Sequence, residues 1–205
     1  MKFSKPPYPT SFFSDEIWVN CPKCANPAIV KTELPKYIVP TVLNAKSICH
    51  CSHCGFIEKD NEKWFCSWVG FIKRACGHCG SPISNLTDPT KKPYPKSEVT
   101  CDSCQTTRSY ENQWLPHFQG EATDPYFGFP LWLQTAFKEH TLWVYNLRHL
   151  DYLKEYVEST LREDDQRFKY SMITNLPKWV KTQKNREKLS RKLTQLKKEF
   201  APYTQ

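Results

Sequence analysis

The 205-residue chain carries 29 Lys/Arg against 21 Asp/Glu, a formal charge of +8, with 16 Pro, 10 Cys and only 6 Gly. No run of 18 apolar residues occurs, which excludes a membrane-spanning helix, and 14% aromatic residues exclude a wholly disordered chain. The N-terminus, MKFSKPPYPTSFF, lacks the apolar core of an export signal, so the expectation is a cytoplasmic protein with reduced thiols.

In chain order, residues 1–11 are Pro-rich and polar and read as an extended arm. Glu16-Ile17-Trp18-Val19 alternates into Cys21, and Ala28–Thr32 reads as the strand leaving it. Pro35 and Pro40 mark a loop, Ser47–His50 leads back to a second cysteine pair, and Phe56-Ile57-Glu58 leaves that pair. Residues 64–75, WFCSWVGFIKRA, are strand-like and apolar, and are expected to pack two units together through Trp64, Trp68 and Phe71. Those aromatics could instead form an exposed platform for stacked bases. A Pro/Lys-rich segment, Asp88–Lys96, reads as a stiff basic hairpin tip, and residues 116–130 as a turn-rich connector.

Composition then changes. Leu131–Thr135 and Thr141–Tyr145 are short apolar runs separated by AFKEH, which reads as a β-hairpin. Asn146 is placed to cap a helix whose apolar face is Leu147, Leu150, Leu153, Val157 and Leu161. The acidic cluster Glu163-Asp164-Asp165 reads as solvated surface at that helix's end. Pro177 suits the first turn of a short helix through Lys181, and Asn185 is placed to cap a final helix. There Leu189, Leu193, Leu196 and Phe200 recur at helical spacing, among Lys188, Arg191, Lys192, Lys197 and Lys198. Residues 177–200 hold nine Lys/Arg and two Glu, whereas residues 1–176 hold 20 and 19, so the charge is concentrated in the tail.

Four Cys-x-x-Cys pairs dominate the N-terminal half: Cys21/Cys24, Cys51/Cys54, Cys76/Cys79 and Cys101/Cys104. The first and third pairs lie 55 residues apart and the second and fourth 50, so one two-pair unit occurs twice. Two cysteines with two residues between them can turn both sulfurs to one point, and a second pair brought back by a hairpin completes a tetrahedral zinc shell. Two Zn2+ ions are therefore expected, and with four thiolates each they lower the formal charge to about +4. Gly55 and Gly80 suit the tight turns that aim backbone N–H groups at sulfur. An iron–sulfur cluster also uses four thiolates, but paired hairpin knuckles favour zinc. Cys49 competes with Cys51 in the run C-H-C-S-H-C, where the Cys51-x-x-Cys54-Gly55 turn favours Cys51. His50, His53 and His78 lie in or beside the knuckles and read as neighbours of the metal rather than ligands, and Cys66 as a small apolar residue.

The paired knuckles CPKC/CSHCG and CGHCG/CDSC resemble the zinc ribbons of transcription factors, RNA polymerase subunits and replication proteins, across residues 12–115. The segment LWLQT…HTLWVYNLRHLDYLKEYVESTLRE, followed by LPKWVK…NREKL, is similar to bacterial zinc-ribbon proteins. The resemblance implies structural zinc and no particular activity.

The expected architecture is α+β: a ribbon over 12–70, a second over 71–118, a hairpin-plus-helix module over 126–165 and basic helices over 172–202. Four thiolates leave no open zinc position, and no catalytic motif appears, so no enzyme and no small-molecule substrate are expected. The leading functional reading is nucleic-acid binding, DNA rather than RNA. The candidate contacts are Lys91, Lys92 and Lys96 with Lys178, Lys181, Lys184, Arg186, Lys188, Arg191 and Lys192. The rivals for the basic tail are a plain solvated face, an acidic protein partner or an anionic membrane surface, and the rival for the whole chain is a protein-interaction adaptor.

Overall fold

Alternating apolar residues build the first sheet. In this computed structural model, which describes residues 3–33, 46–59, 65–117, 122–160 and 171–203, strands β1 (Glu16–Asn20), β2 (Pro27–Thr32), β3 (Ser47–His50) and β4 (Ile57–Lys59) form an antiparallel meander in that order. Ile17, Val30 and Cys49 lie side by side across β1, β2 and β3, each fully buried, so one face of the sheet is committed to the core.

The second unit is built differently. Its central strand, β5 (Ser67–Ala75), pairs along residues 71–75 with β6 (Pro82–Leu86). Strands β7 (Lys96–Thr100) and β8 (Thr107–Glu111) make a separate hairpin. The chain then returns as β9 (Gln113–His117) to pair with residues 67–71 of β5. The apolar run expected to join the units is thus mostly β5 itself, and residue 70 falls inside that strand. Trp68 and Phe71 lie on β5 half-buried, while Trp64, Pro35 and Pro40 are outside the described residues. The buried cluster here is only Ile72, Cys76, Ile83, Cys101 and Tyr110.

The basic segment between β6 and β7 is pinned rather than projecting. Thr90 exchanges two backbone hydrogen bonds with Trp68, at 2.7 and 2.8 Å. The physical reason is an edge: beyond residue 71, β5 has no β6 partner, and Thr90 takes that place.

The C-terminal module opens with β10 (Gln134–Phe137) and β11 (His140–Trp143), joined through Lys138 at φ 53°. Helix α1 (Leu147–Glu158) starts at Asn146, whose side chain accepts from the N–H of His149 at 2.9 Å. Leu150, Leu153 and Val157 of the expected face are buried; Leu161, Arg162 and Glu163-Asp164-Asp165 are outside the described residues. His149, Tyr152 and Tyr156 are buried as well, because α1 is covered on a second side. There the N-terminal segment, expected as an extended arm, is docked: Phe3 meets Tyr152 and Tyr156 edge-on, and the Tyr152 hydroxyl donates to Pro6 O at 2.8 Å. Its aromatics supply apolar surface that outweighs the loop-forming prolines. Short helices α2 (Met172–Asn175) and α3 (Lys178–Lys181) lead to α4 (Arg186–Phe200). Leu189, Leu193, Leu196 and Phe200 of α4 are all buried, against α1 and β10.

Asn185 occupies the residue before α4 but makes no capping bond; its own backbone is already helical (φ −94°, ψ −11°). Its side chain instead accepts from Lys138 Nζ at 2.9 Å and donates to Trp179 O at 2.8 Å.

The first sheet and the C-terminal module share one core. The outer edge of β1 is closed by distant backbone: Trp18 N–H donates to Tyr145 O (2.9 Å), Trp132 N–H to Trp18 O (2.9 Å) and Asn20 N–H to Pro130 O (2.8 Å). Buried residues from Phe13 through Phe200 form one cluster that includes Cys21 and Cys51. Among the described residues no helix is long and apolar enough to cross a membrane.

Candidate metal centres and a basic cleft

All four knuckles have one geometry. The N–H of the first cysteine bonds to the carbonyl five residues on, and its carbonyl accepts from the N–H four residues on: Cys21 with Asn26 and Ala25, Cys51 with Phe56 and Gly55, Cys76 with Ser81 and Gly80, Cys101 with Thr106 and Gln105. The fourth residue after each first cysteine is left-handed, with φ of 58°, 70°, 76° and 57° in Ala25, Gly55, Gly80 and Gln105. Two glycines take that conformation freely; Ala25 and Gln105 take it at a cost of about 1 to 2 kcal/mol each.

The knuckles bring the sulfurs together in two quartets, Cys21/Cys24/Cys51/Cys54 and Cys76/Cys79/Cys101/Cys104, each with its Sγ atoms within 4.8 Å of one another. In the first quartet Cys21 to Cys54 is 3.6 Å and Cys24 to Cys51 is 3.7 Å. In the second, Cys76 to Cys104 is 3.9 Å and Cys79 to Cys101 is 3.7 Å. A tetrahedron with metal–sulfur bonds of about 2.3 Å has edges of about 3.8 Å. A disulfide would need about 2.05 Å, and the sulfurs of each quartet lie far beyond that. Each quartet could therefore hold a zinc ion, consistent with two Zn2+ per chain.

Backbone N–H groups favour the thiolate form at Cys24 and Cys76, whereas burial pushes Cys54 up to about 12. The Asn26 N–H lowers Cys24 to about 6. The N–H groups of Cys79 and His78 lower Cys76 to about 6, the latter at 3.4 Å from sulfur. Cys49 is the opposite case: it is fully buried in the first core and pushed up to about 12 by burial, a neutral apolar thiol outside both quartets. His50, His53 and His78 are exposed and belong to neither quartet. Four thiolates fill a tetrahedral shell, so the chemistry on offer is cross-linking of strands rather than activation of water.

The candidate cationic residues fall into two groups. On the segment after β6, Lys92 and Lys96 are exposed. Lys91 is engaged: its Nζ donates to Phe65 O at 2.9 Å and lies 4.5 Å from the Phe65 ring centre. On the C-terminal helices, Lys178, Lys184, Lys188 and Arg191 are exposed and Lys192 is half-buried. Lys181 donates to Thr174 O at 2.8 Å, and Arg186 is half-buried with its Nε shielded from solvent.

Three of these residues share a cleft of about 320 Å³ between the β10–β11 hairpin and α4. The hairpin supplies Ala136, Phe137 and Lys138; the helix supplies Lys188, Arg191, Lys192 and Gln195. Among the described residues, four cations and no carboxylate line it. Lys138 was not among the sequence candidates, because a lysine in a hairpin turn reads as ordinary turn polarity. No motif links it to a helix fifty residues downstream.

A second concealed centre is Asp124. Fully buried, it accepts from the N–H groups of Tyr126 (3.0 Å), Phe127 (2.8 Å) and Phe129 (2.6 Å) and so shapes the 124–130 turn. Burial raises its carboxyl to about 6 despite those donors. At the crest of this turn Gly128, at φ 78°, lies under the ring of Phe65.

No protein-family model, curated protein or solved structure matches this chain.

Proposed function

We propose that this chain is a zinc-stabilised, non-enzymatic nucleic-acid-binding protein whose contacts come from the basic surface of the C-terminal helices, with the exposed Lys92 and Lys96 of the second unit as a subsidiary patch. The observation that carries the reading is the docking of α4. Its leucine face is committed to the core, so Lys188, Arg191 and Lys192 are displayed by a helix fixed to a rigid body rather than by a loose tail, with Lys184 in the turn just before it. Cations on a fixed helix track a phosphate backbone without the cost of ordering the main chain at the moment of binding. Zinc on this reading holds the sheets and takes no part in contact. DNA is preferred to RNA on the analogy of zinc ribbons.

The test is a binding titration of the zinc-loaded full chain against a labelled oligonucleotide at several salt concentrations. Affinity should fall steeply with salt, with a log–log slope of about −0.7 to −0.9 per phosphate contacted. Neutralising Lys184 and Lys188 should flatten the slope. No binding at low salt, or a slope unchanged in the variant, removes the reading.

A second reading, a protein-interaction adaptor, is favoured by the outer face of the first sheet. Ile29, His50 and Ile57 form one row across β2, β3 and β4, and Lys31, Ile48 and Lys59 the next. Ile48 is 44% exposed and Ile57 59%. Apolar residues between lysines suit an acidic partner protein. One stoichiometric partner that survives nuclease treatment and is lost in Ile48→Asp would favour this reading.

A further inference from the structure

At the C-terminal end of α4 lies a second cleft, of about 350 Å³, whose chemistry is the reverse of the basic one. Helix α4 supplies Glu199, and the short turn after it supplies Tyr203. Asn20 ends β1, Gln134 begins β10, and Trp132 belongs to the segment that closes the β1 edge. Leu131, Leu196 and Phe200, all buried, close the inner side. Among the described residues no cation lines this cleft, on a chain whose formal charge is +8. The lysines of the same helical turn are placed elsewhere: Lys197 Nζ bonds to Asp151 Oδ1 at 2.6 Å, and Lys198 lies outside the cleft.

Its amides and its carboxylate offer acceptors. Asn20 Nδ2 donates to Leu131 O at 3.0 Å and to Pro130 O at 3.2 Å, and Gln134 Nε2 donates to Leu131 O at 2.7 Å. A carbonyl cannot donate, so these bonds fix which way each amide is turned and leave the amide oxygens for a ligand. Glu199 is exposed and accepts from a neutral group, Gln195 Nε2, at 2.8 Å; among the described residues no cation pairs with it. The C-terminal end of α4 adds partial negative charge of its own. The aromatic rings are open as well. Trp132 is half-buried and Tyr203 is 44% exposed, with ring centres 5.7 Å apart and planes at 80°. An edge-on pair covers a face of only one ring, so the corner keeps an aromatic face on which a flat cation can lie.

We infer that this cleft binds a guanidinium group, held by the Glu199 carboxylate and the amide oxygens of Asn20 and Gln134 and laid against the Trp132–Tyr203 corner. A guanidinium is planar, permanently charged and carries five N–H donors, which matches acceptors on several sides of an aromatic face. A primary ammonium is a compact charge with three donors and no flat face to stack. An anion would meet Glu199 and no cation. The group belongs either to an arginine side chain of a partner protein or to a free guanidino compound; the recognition chemistry is the same. The site is separate from the basic surface and does not depend on whether nucleic acid binds there.

The experiment is an NMR titration of the zinc-loaded full chain carrying isotope-labelled tryptophan, read at the Trp132 indole N–H and assigned from the spectrum of Trp132→Phe. The probes, at matched ionic strength, are arginine amide, the peptide Gly-Gly-Arg-Gly-Gly, and the same peptide with lysine or with uncharged citrulline in place of arginine. The expected result is a saturable shift with both arginine probes at roughly millimolar concentration, about tenfold weaker with the lysine peptide and absent with the citrulline peptide. Tighter binding of the arginine peptide than of the amide assigns the group to a partner protein, and the reverse assigns it to a free compound. Glu199→Gln and Tyr203→Ala, both at exposed positions, should weaken binding about fivefold or more. Glu187→Gln removes a carboxylate of α4 that lies outside the cleft and should weaken it less than about twofold. The resonances of the other tryptophans report that each variant is folded. No shift at Trp132 up to about 10 mM arginine amide or peptide, a lysine peptide that binds as tightly as the arginine peptide, or equal losses in Glu187→Gln and Glu199→Gln would overturn the inference.

Discussion

Gly128 and Phe65 form the joint between the second unit and the first core, and a double-mutant cycle tests it. A Cβ added at Gly128 would lie 2.4 Å from the Phe65 ring, well inside van der Waals contact, and φ is 78° there. Gly128→Ala therefore carries two costs. The left-handed backbone contributes about 1 to 2 kcal/mol. Overpacking against the ring contributes about 1 to 3 kcal/mol more. The Phe65 backbone is held, since its carbonyl accepts from Lys91 and its N–H donates to Pro125 O at 3.0 Å, but the ring is 41% exposed and can yield in part, which places the cost toward the low end of that range. Gly55 is the matched control: its φ is 70° and no atom lies within 4 Å of an added Cβ, so Gly55→Ala carries the backbone cost alone. Urea unfolding of Gly128→Ala, Gly55→Ala, Phe65→Ala and Gly128→Ala/Phe65→Ala measures the difference. The expected coupling between positions 65 and 128 is about 1 to 3 kcal/mol, and Gly128→Ala in the Phe65→Ala background should cost no more than Gly55→Ala. Equal costs for the two single glycine variants would refute the joint.

Other predictions follow from buried groups. Asp124, raised from 3.8 to about 6, holds a proton in the folded chain that the unfolded chain has lost, so stability should fall as pH rises from about 4 to about 6, by roughly 3 kcal/mol. Asp124→Asn should abolish that slope and cost about 1 to 3 kcal/mol at pH 7, because its amide nitrogen would face a donor; an unchanged slope in urea melts would contradict the assignment. Cys49→Ala should keep two zinc ions and cost about 1 kcal/mol of core contact, whereas Cys51→Ser should release one ion; loss of metal in Cys49→Ala would reverse the ligand assignment. Under a chelator, hydrogen exchange should rise first in β5–β9, whose buried cluster has five residues of which two are ligands, and later in β1–β3, which rest on the large core.

What the sequence disclosed is what depends on near neighbours. A Cys-x-x-Cys pair fixes its own turn, so both quartets could be named from spacing. The leucines of α4 and the Leu150, Leu153 and Val157 face of α1 recur at helical spacing and are buried as that spacing requires. Pairing at a distance left no such trace. Backbone from Pro130, Trp132 and Tyr145 closes the edge of β1 and merges the first sheet with the C-terminal module, a contact across more than a hundred residues. The apolar run 64–75 read as strand-like and as the packed joint of two units, but that it forms the central strand of the second is decided only by the return of β9. Ala25 and Gln105 take a glycine's conformation with no glycine to announce it. Asn185 and Lys138 each looked like a local signal, a cap and a turn residue. Their bond to each other is tertiary, tying the β10–β11 turn to the start of α4.

The central claim is that each N-terminal unit is held by a metal bound to four sulfurs. Elemental analysis of the reduced, zinc-supplied, gel-filtered chain, together with X-ray absorption at the zinc edge, measures it directly. The account predicts two zinc ions per chain in an all-sulfur shell at about 2.3 Å. A content well below two, or a shell containing nitrogen or oxygen, would contradict it.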